Sequence, residues 1–133
     1  MRTERGKVLV AYDGSPEAQR ALHEAATFAR GGGGIAVVHV IPAQSVGSRL
    51  VSLSDDQQAL QRRLLAEAAR LLAKTGVEAE IVEAAGDPLT EILATSERLG
   101  VRLLAVGGHR HQFRHGIADR LVRRAPCDVL VVR

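Results

Sequence analysis

The sequence predicts an α/β domain built on a parallel sheet with helices on both faces, and three observations predict it. Short, largely apolar runs rich in Val, Ile, Leu and Ala occur at residues 7–12 (KVLVAY), 35–41 (IAVVHVI), 101–106 (VRLLAV) and 129–132 (VLVV), and the first two have the character of strands covered on both sides. Between them the apolar residues recur at helical spacing. The helical stretches open on capping residues, twice followed by proline (Ser15-Pro16, Ser54, Asp87-Pro88), and stop at glycine (Gly31, Gly76, Gly100). Strands that alternate with helices over the whole length imply right-handed crossovers and a five-stranded parallel, Rossmann-like sheet.

Each element follows in order. The first strand closes on Asp13-Gly14-Ser15-Pro16, and Ala18, Ala21, Leu22, Ala25 and Ala29 then mark the buried stripe of the first helix. Pro42 follows the second strand, and the polar stretch from there to about Leu53 reads as loop. Ser54, Asp55 and Asp56 start a long helix whose expected apolar stripe is Leu60, Leu64, Ala68, Leu71 and Leu72. Residues 77–83 set Val77, Ala79 and Ile81 against Glu78, Glu80 and Glu83, an imperfect alternation expected of a strand with one less buried face. A third helix is expected at 89–99, a fourth strand at 101–106, a short fourth helix at 117–124 and a fifth strand at 129–132.

The 133 residues have room for one domain, expected to span 1–133, and 46% apolar with 25% charged residues is an ordinary globular balance. Tyr12, Phe28 and Phe113 are the only aromatics, so stacking platforms for single-stranded nucleic acid are missing, and no recognition helix for DNA is evident. Nucleic acid is therefore not an expected partner. The polar N-terminus lacks a secretory signal and no run approaches the roughly 18 apolar residues of a membrane span, so a soluble, cytoplasmic protein without membrane contact is expected. Cys127 stands alone, which excludes an internal disulfide and any multi-cysteine metal site. The net charge is +3, with Arg102, Arg110, Arg114, Arg120, Arg123 and Arg124 in one stretch whose only acid is Asp119; this is either an anion-attracting patch or a solvated face.

In parallel α/β sheets ligands sit at the carboxyl ends of strands where the strand order reverses, which directs attention to the turns after Tyr12, Ile41 and Val106. Gly107-Gly108-His109-Arg110-His111 follows the fourth strand directly. Either its backbone amides approach a phosphate beside a helix start, or the glycines make a tight strand exit. Asp13 can accept hydrogen bonds from an adenine amine or a ribose hydroxyl, or can help to cap the first helix. His109, His111 and His115 have no strong metal fingerprint, and Arg and His lining a loop more readily meet phosphate or water; no metal is expected. His23 and His39 lie within predicted elements and read as structural. Ser15 lacks an obvious base, Cys127 is expected to be buried and inert, and no phosphate-loop motif of the G-x-x-x-x-G-K type is present, so the residues do not demand an enzyme. A receiver domain would need an acidic cluster after the first strand, where only Asp13 stands.

Three segments resemble the universal stress protein family: KVLVAYDGSPEAQRAL at residues 7–22; HVIP at 39–42 with GDPLTEIL at 86–93; and VGGHRH followed by DRLVRRAPCDVLVV at 119–132. The resemblance implies a five-stranded parallel sheet and a homodimer through the last strand, Val129, Leu130, Val131 and Val132. It places Ala11, Tyr12 and Asp13 near the adenine and ribose of a bound nucleotide and Val40 beside the base. Members that bind ATP carry G-x2-G-x9-G-[ST] after the fourth strand. Here Gly108, next to Gly107, matches the first glycine, but His111 stands at the second, His115 at the third and Gly116 at the Ser or Thr position, with only Gln112, Phe113 and Arg114 between. Such a loop does not wrap a triphosphate in the usual way, and Arg110, Arg114 and the histidines, His111 and His115 among them, would favour a shorter or differently placed anion such as AMP, or an unrelated phosphate-bearing ligand. Two readings result. One is a non-catalytic regulatory, stress-response domain with weak, altered or absent adenine-nucleotide binding; the other is a working ATP- or AMP-binding member with slow ATP hydrolysis.

Overall fold

The computed structural model of the chain describes residues 6–43, 45, 46, 49, 50, 52–108 and 116–133. Strand β1 (Lys7–Ala11) leads to helix α1 (Pro16–Ala29), β2 (Ile35–Pro42), a ribbon of β3 (Ser45–Val46) with β4 (Arg49–Leu50), and α2 (Asp55–Ala73). Then come β5 (Ala79–Gly86), α3 (Pro88–Leu99), β6 (Val101–Gly107), α4 (Ile117–Arg124) and β7 (Asp128–Val132). The five long strands form one parallel sheet in the order β5-β2-β1-β6-β7, as the alternation of elements predicts.

The caps act where the sequence puts them. Ser15 Oγ accepts the Ala18 N–H at the start of α1, Ser54 and Gln57 exchange hydrogen bonds in a capping box at α2, and Asp87 accepts the Thr90 N–H at α3. Gly100 closes α3 in the left-handed conformation, φ 63°, that costs a glycine least.

Two apolar layers sandwich the sheet. Val8, Val10, Tyr12, Val37 and Ala105 face α1 and α2 together with Leu22, Leu65 and Leu72, whereas Leu9, Ala36, Val38, Leu104 and Val106 face α3 and α4 with Leu89, Ile92 and Leu121. Alternate residues of one strand thus enter opposite layers, so β1 has no solvent face at its centre.

Three expectations are corrected. The stripe of α2 is Gln61, Leu65, Ala68 and Leu72, with Leu64 and Leu71 beside it, and Leu60 is 45% exposed. Polar Gln61 takes the core position because its amide donates to the His39 and Ala84 carbonyls of the sheet. The third long strand begins at Ala79, two residues late, because the Val77 N–H still closes α2 on Leu72 O; it runs on to Gly86 because all eight residues pair with β2. The stretch read as loop contains β3 and β4, too short for any periodicity to reveal.

Gly107 is fixed by packing. A Cβ there would lie 2.7 Å from Ala18 N and 2.8 Å from Glu17 C, backbone atoms of the first turn of α1 that cannot move independently. Gly107→Ala should therefore lower the unfolding free energy by about 1–3 kcal/mol, seen as an earlier urea midpoint. An unchanged midpoint would mean that α1 does not rest on the end of β6.

Candidate functional site

The strand order reverses at β1, whose neighbours are β2 on one side and β6 on the other. The chain leaves β1 toward α1 on one face and leaves β6 toward α4 on the other, so a crevice opens at the carboxyl ends of these strands. Ala11 is paired with Val106 at this point, and Val40 lies near the end of β2.

Strand parity divides the residues expected here. Ala11 and Val40 are half-buried against the α3 and α4 layer, and Ile117 of α4 joins the same cluster. Tyr12 enters the opposite layer, where it is 2% exposed and its hydroxyl donates to Glu67 of α2. Burial, reinforced by the Glu67 carboxylate, pushes the phenol well above its ordinary value of 10.0. Tyr12 thus offers the crevice its backbone rather than its ring, and its N–H already donates to Val38 O at 2.9 Å.

Asp13 stays exposed. Its Oδ1 accepts the Ser15 N–H at 3.0 Å, holding the turn that delivers Ser15 to its cap, while Gly14 sits at φ 83° against Leu64. Asp13 thus serves the turn that leads into α1, at the crevice mouth.

The two glycines after β6 have separate duties. Gly107 admits the first turn of α1. Gly108 donates its N–H to Val132 O at 2.8 Å, continuing the ladder between β6 and β7, and a Cβ at this position would meet Val131 Cγ1 at 2.7 Å. That amide is committed to the sheet. Arg110, His111 and His115, expected at the phosphate, lie outside the described residues together with His109. Gly116 is the N-cap of α4 and provides no side-chain cap.

The arginine stretch is not one patch. Arg102 donates to Gly6 O and Phe28 O at the amino end of β6, away from the crevice. Arg123 pairs with Asp119 at 3.6 Å, an exposed contact of small energetic weight. The Asp87 carboxyl is held below its ordinary value first by hydrogen bonds from Thr90, with Arg120 and Arg124 assisting. Cys127 is half-buried, and burial raises its thiol, as suits an unreactive residue. Among the described residues no group of three His, Cys, Asp or Glu could hold a metal ion, and no helix is long and apolar enough to cross a membrane.

Sequence reasoning missed Gln61. It is 5% exposed, and its Nε2 donates to His39 O at 2.9 Å and Ala84 O at 2.8 Å, with His39 Nδ1 at 3.1 Å. One amide thus clamps α2 across β2 and β5 beside the crevice, its two hydrogens going to the two carbonyls. A lone Gln inside a Leu and Ala stripe was the available signal. His39 is structural, as its place within β2 predicts, whereas His23 is exposed on α1.

A parallel sheet with its switch point at β1 and helices on both faces is the architecture of a doubly wound α/β domain. The chain belongs to the universal stress protein family, whose model matches residues 4–133. Among solved structures, a universal stress protein from Archaeoglobus fulgidus superposes with a TM-score of 0.82 at 23% identity, over 96% of this chain and 93% of that one. The A. fulgidus universal stress protein in complex with dAMP gives 0.80 at 25% identity, covering 96% and 98%. A universal stress protein in complex with cAMP gives 0.79 at 20%, covering 98% of each. Comparison with curated proteins returns no match.

The His39 contact has a pH consequence. Burial lowers its folded-state value below 6.5, outweighing the opposing pull of Asp13. The unfolded chain therefore takes up the proton first, and stability rises with pH through the window just below 6.5. The contribution is complete above that value and is lost as pH falls beneath it. Urea midpoints measured from pH 7.5 to 5 should decline, and His39→Gln should flatten the decline; an equal slope in both proteins would contradict the assignment.

Proposed function

We propose that this chain is a non-catalytic regulatory domain of the stress-response type that binds an adenine mononucleotide in the crevice, takes ATP poorly and works as a homodimer. The observation that carries the reading is the Gly108 N–H bonded to Val132 O, because an amide held in the ladder is lost to a polyphosphate. One phosphate suits the start of α4, where Gly116 brings no capping side chain, with Arg110, His111 and His115 lying between Gly108 and Gly116 in the sequence as sources of positive charge. Ala11 and Val40 form an apolar floor for the base on the same face as α4, and Asp13 accepts from the ribose or the adenine amine. The 25%-identical A. fulgidus relative in complex with dAMP, itself a monophosphate, supports this class of ligand.

The two edges of the sheet support the dimer. On β5 and just before it, Glu78, Glu80 and Glu83 are exposed and would repel a second copy, a common way of blunting an edge. On β7, Val129, Leu130, Val131 and Val132 are uncharged and only half-buried, with pairing described on one side alone. A two-fold contact through this strand would cover them.

Isothermal titration should give binding heat with AMP that disappears in Asp13→Ala, and ATP affinity at least about tenfold lower, the effect of losing one charge-assisted contact. ATP binding as tightly as AMP, or silence from every adenine nucleotide, would overturn the nucleotide reading. Independently, sedimentation equilibrium in the tens of micromolar should return the mass of two chains. A single-chain mass would remove the β7 pairing.

A further inference from the structure

We propose that helix α4 is the second half of the homodimer contact, packing through Val122 against the same helix of a second copy of this chain. The inference rests on the β7 pairing proposed above and adds a helix pair to it. Leu121 points onto the sheet and is fully buried. Arg120 and Arg124 are turned toward α3, where both act on the Asp87 carboxyl at its start. Successive residues of a helix lie about 100° apart, so Val122 occupies the flank opposite the two arginines and faces away from α3. Because α4 packs over β7, the edge strand, that direction leads past the sheet. Val122 is 53% exposed there, more than any other large apolar side chain among the described residues.

Three features suit a second copy as the occupant. Half-buried Val129 and Val131 belong to the apolar layer under α4, so the Val122 flank continues the β7 edge as one apolar surface. The strand alone is too small, since a stable contact takes roughly 20–30 residues a side and β7 has five. Charge does not oppose the contact either: Asp119 and Arg123, next to the Val122 flank, pair with each other at 3.6 Å. An antiparallel pair of β7 strands continues the sheet across a two-fold axis, which keeps both copies of α4 on one face and runs them in opposite directions. The acid of one copy then approaches the arginine of the other.

Sedimentation equilibrium of the full chain separates the helix contact from the strand pairing. Val122→Glu should raise the dissociation constant of the dimer at least about tenfold, the position occurring twice across a two-fold contact. Ile81→Glu, at an exposed site on the opposite edge of the sheet, should leave it unchanged. Val122→Ala, which only trims the side chain, should give a smaller loss of the same sign. In a dimer mixed from ¹³C-labelled and unlabelled chains, isotope-filtered NOEs should connect the Val122 methyls to α4 of the other copy. A two-chain mass whose dissociation constant Val122→Glu does not change would overturn the helix contact and leave the β7 pairing standing; equal weakening by Ile81→Glu would also overturn it. A single-chain mass for the unaltered protein would remove the β7 pairing and the helix contact together.

Discussion

The position of β1 between β2 and β6 is the constraint on which the rest of this structure depends. Val8, Leu9 and Val10 are fully buried because both sheet faces are covered, and the central strand has a hydrogen-bonded neighbour on each side. Burying these apolar surfaces stabilises the domain by roughly 25 cal/mol for each Å² removed from water. It also forces the chain to leave β1 and β6 toward opposite faces. The crevice is a by-product of that divergence, so its location is set by the core rather than by any ligand.

What the crevice can hold is decided by how tightly its rim is used for packing. Gly107 is spent on admitting α1, and Gly108 on extending the pairing to β7. On the other rim Tyr12 is drawn into the core toward Glu67, and α2 is clamped down by Gln61 over His39 and Ala84. The described parts of the crevice are then the exposed Asp13 turn, the half-buried Ala11 and Val40, and the start of α4. It is on this distribution that the proposed preference for a singly phosphorylated nucleotide rests.

The fold was legible because strands covered on both faces carry unbroken apolar runs and because Ser15, Ser54, Asp87 and Gly100 are strong local signals whose effect does not depend on distant residues. Legibility failed where a distant partner sets the outcome. Gln61 looked out of place in an apolar stripe until the carbonyls of β2 and β5 came opposite it. The shared resemblance of Ala11, Tyr12 and Asp13 gave no hint that alternate residues would part to different faces. The commitment of the Gly108 amide depends on the register of β7, which no local pattern around Gly108 encodes.

The most direct measurement is amide hydrogen exchange at Gly108, followed by NMR with and without saturating nucleotide. The account predicts a protected N–H that exchanges with the core of β6 and β7 and stays put when AMP is added, while the amides of Ile117 and Ala118 shift. A Gly108 amide that exchanges freely in the apo protein and becomes protected only with ATP would contradict it, because the glycine would then belong to the ligand rather than to the sheet.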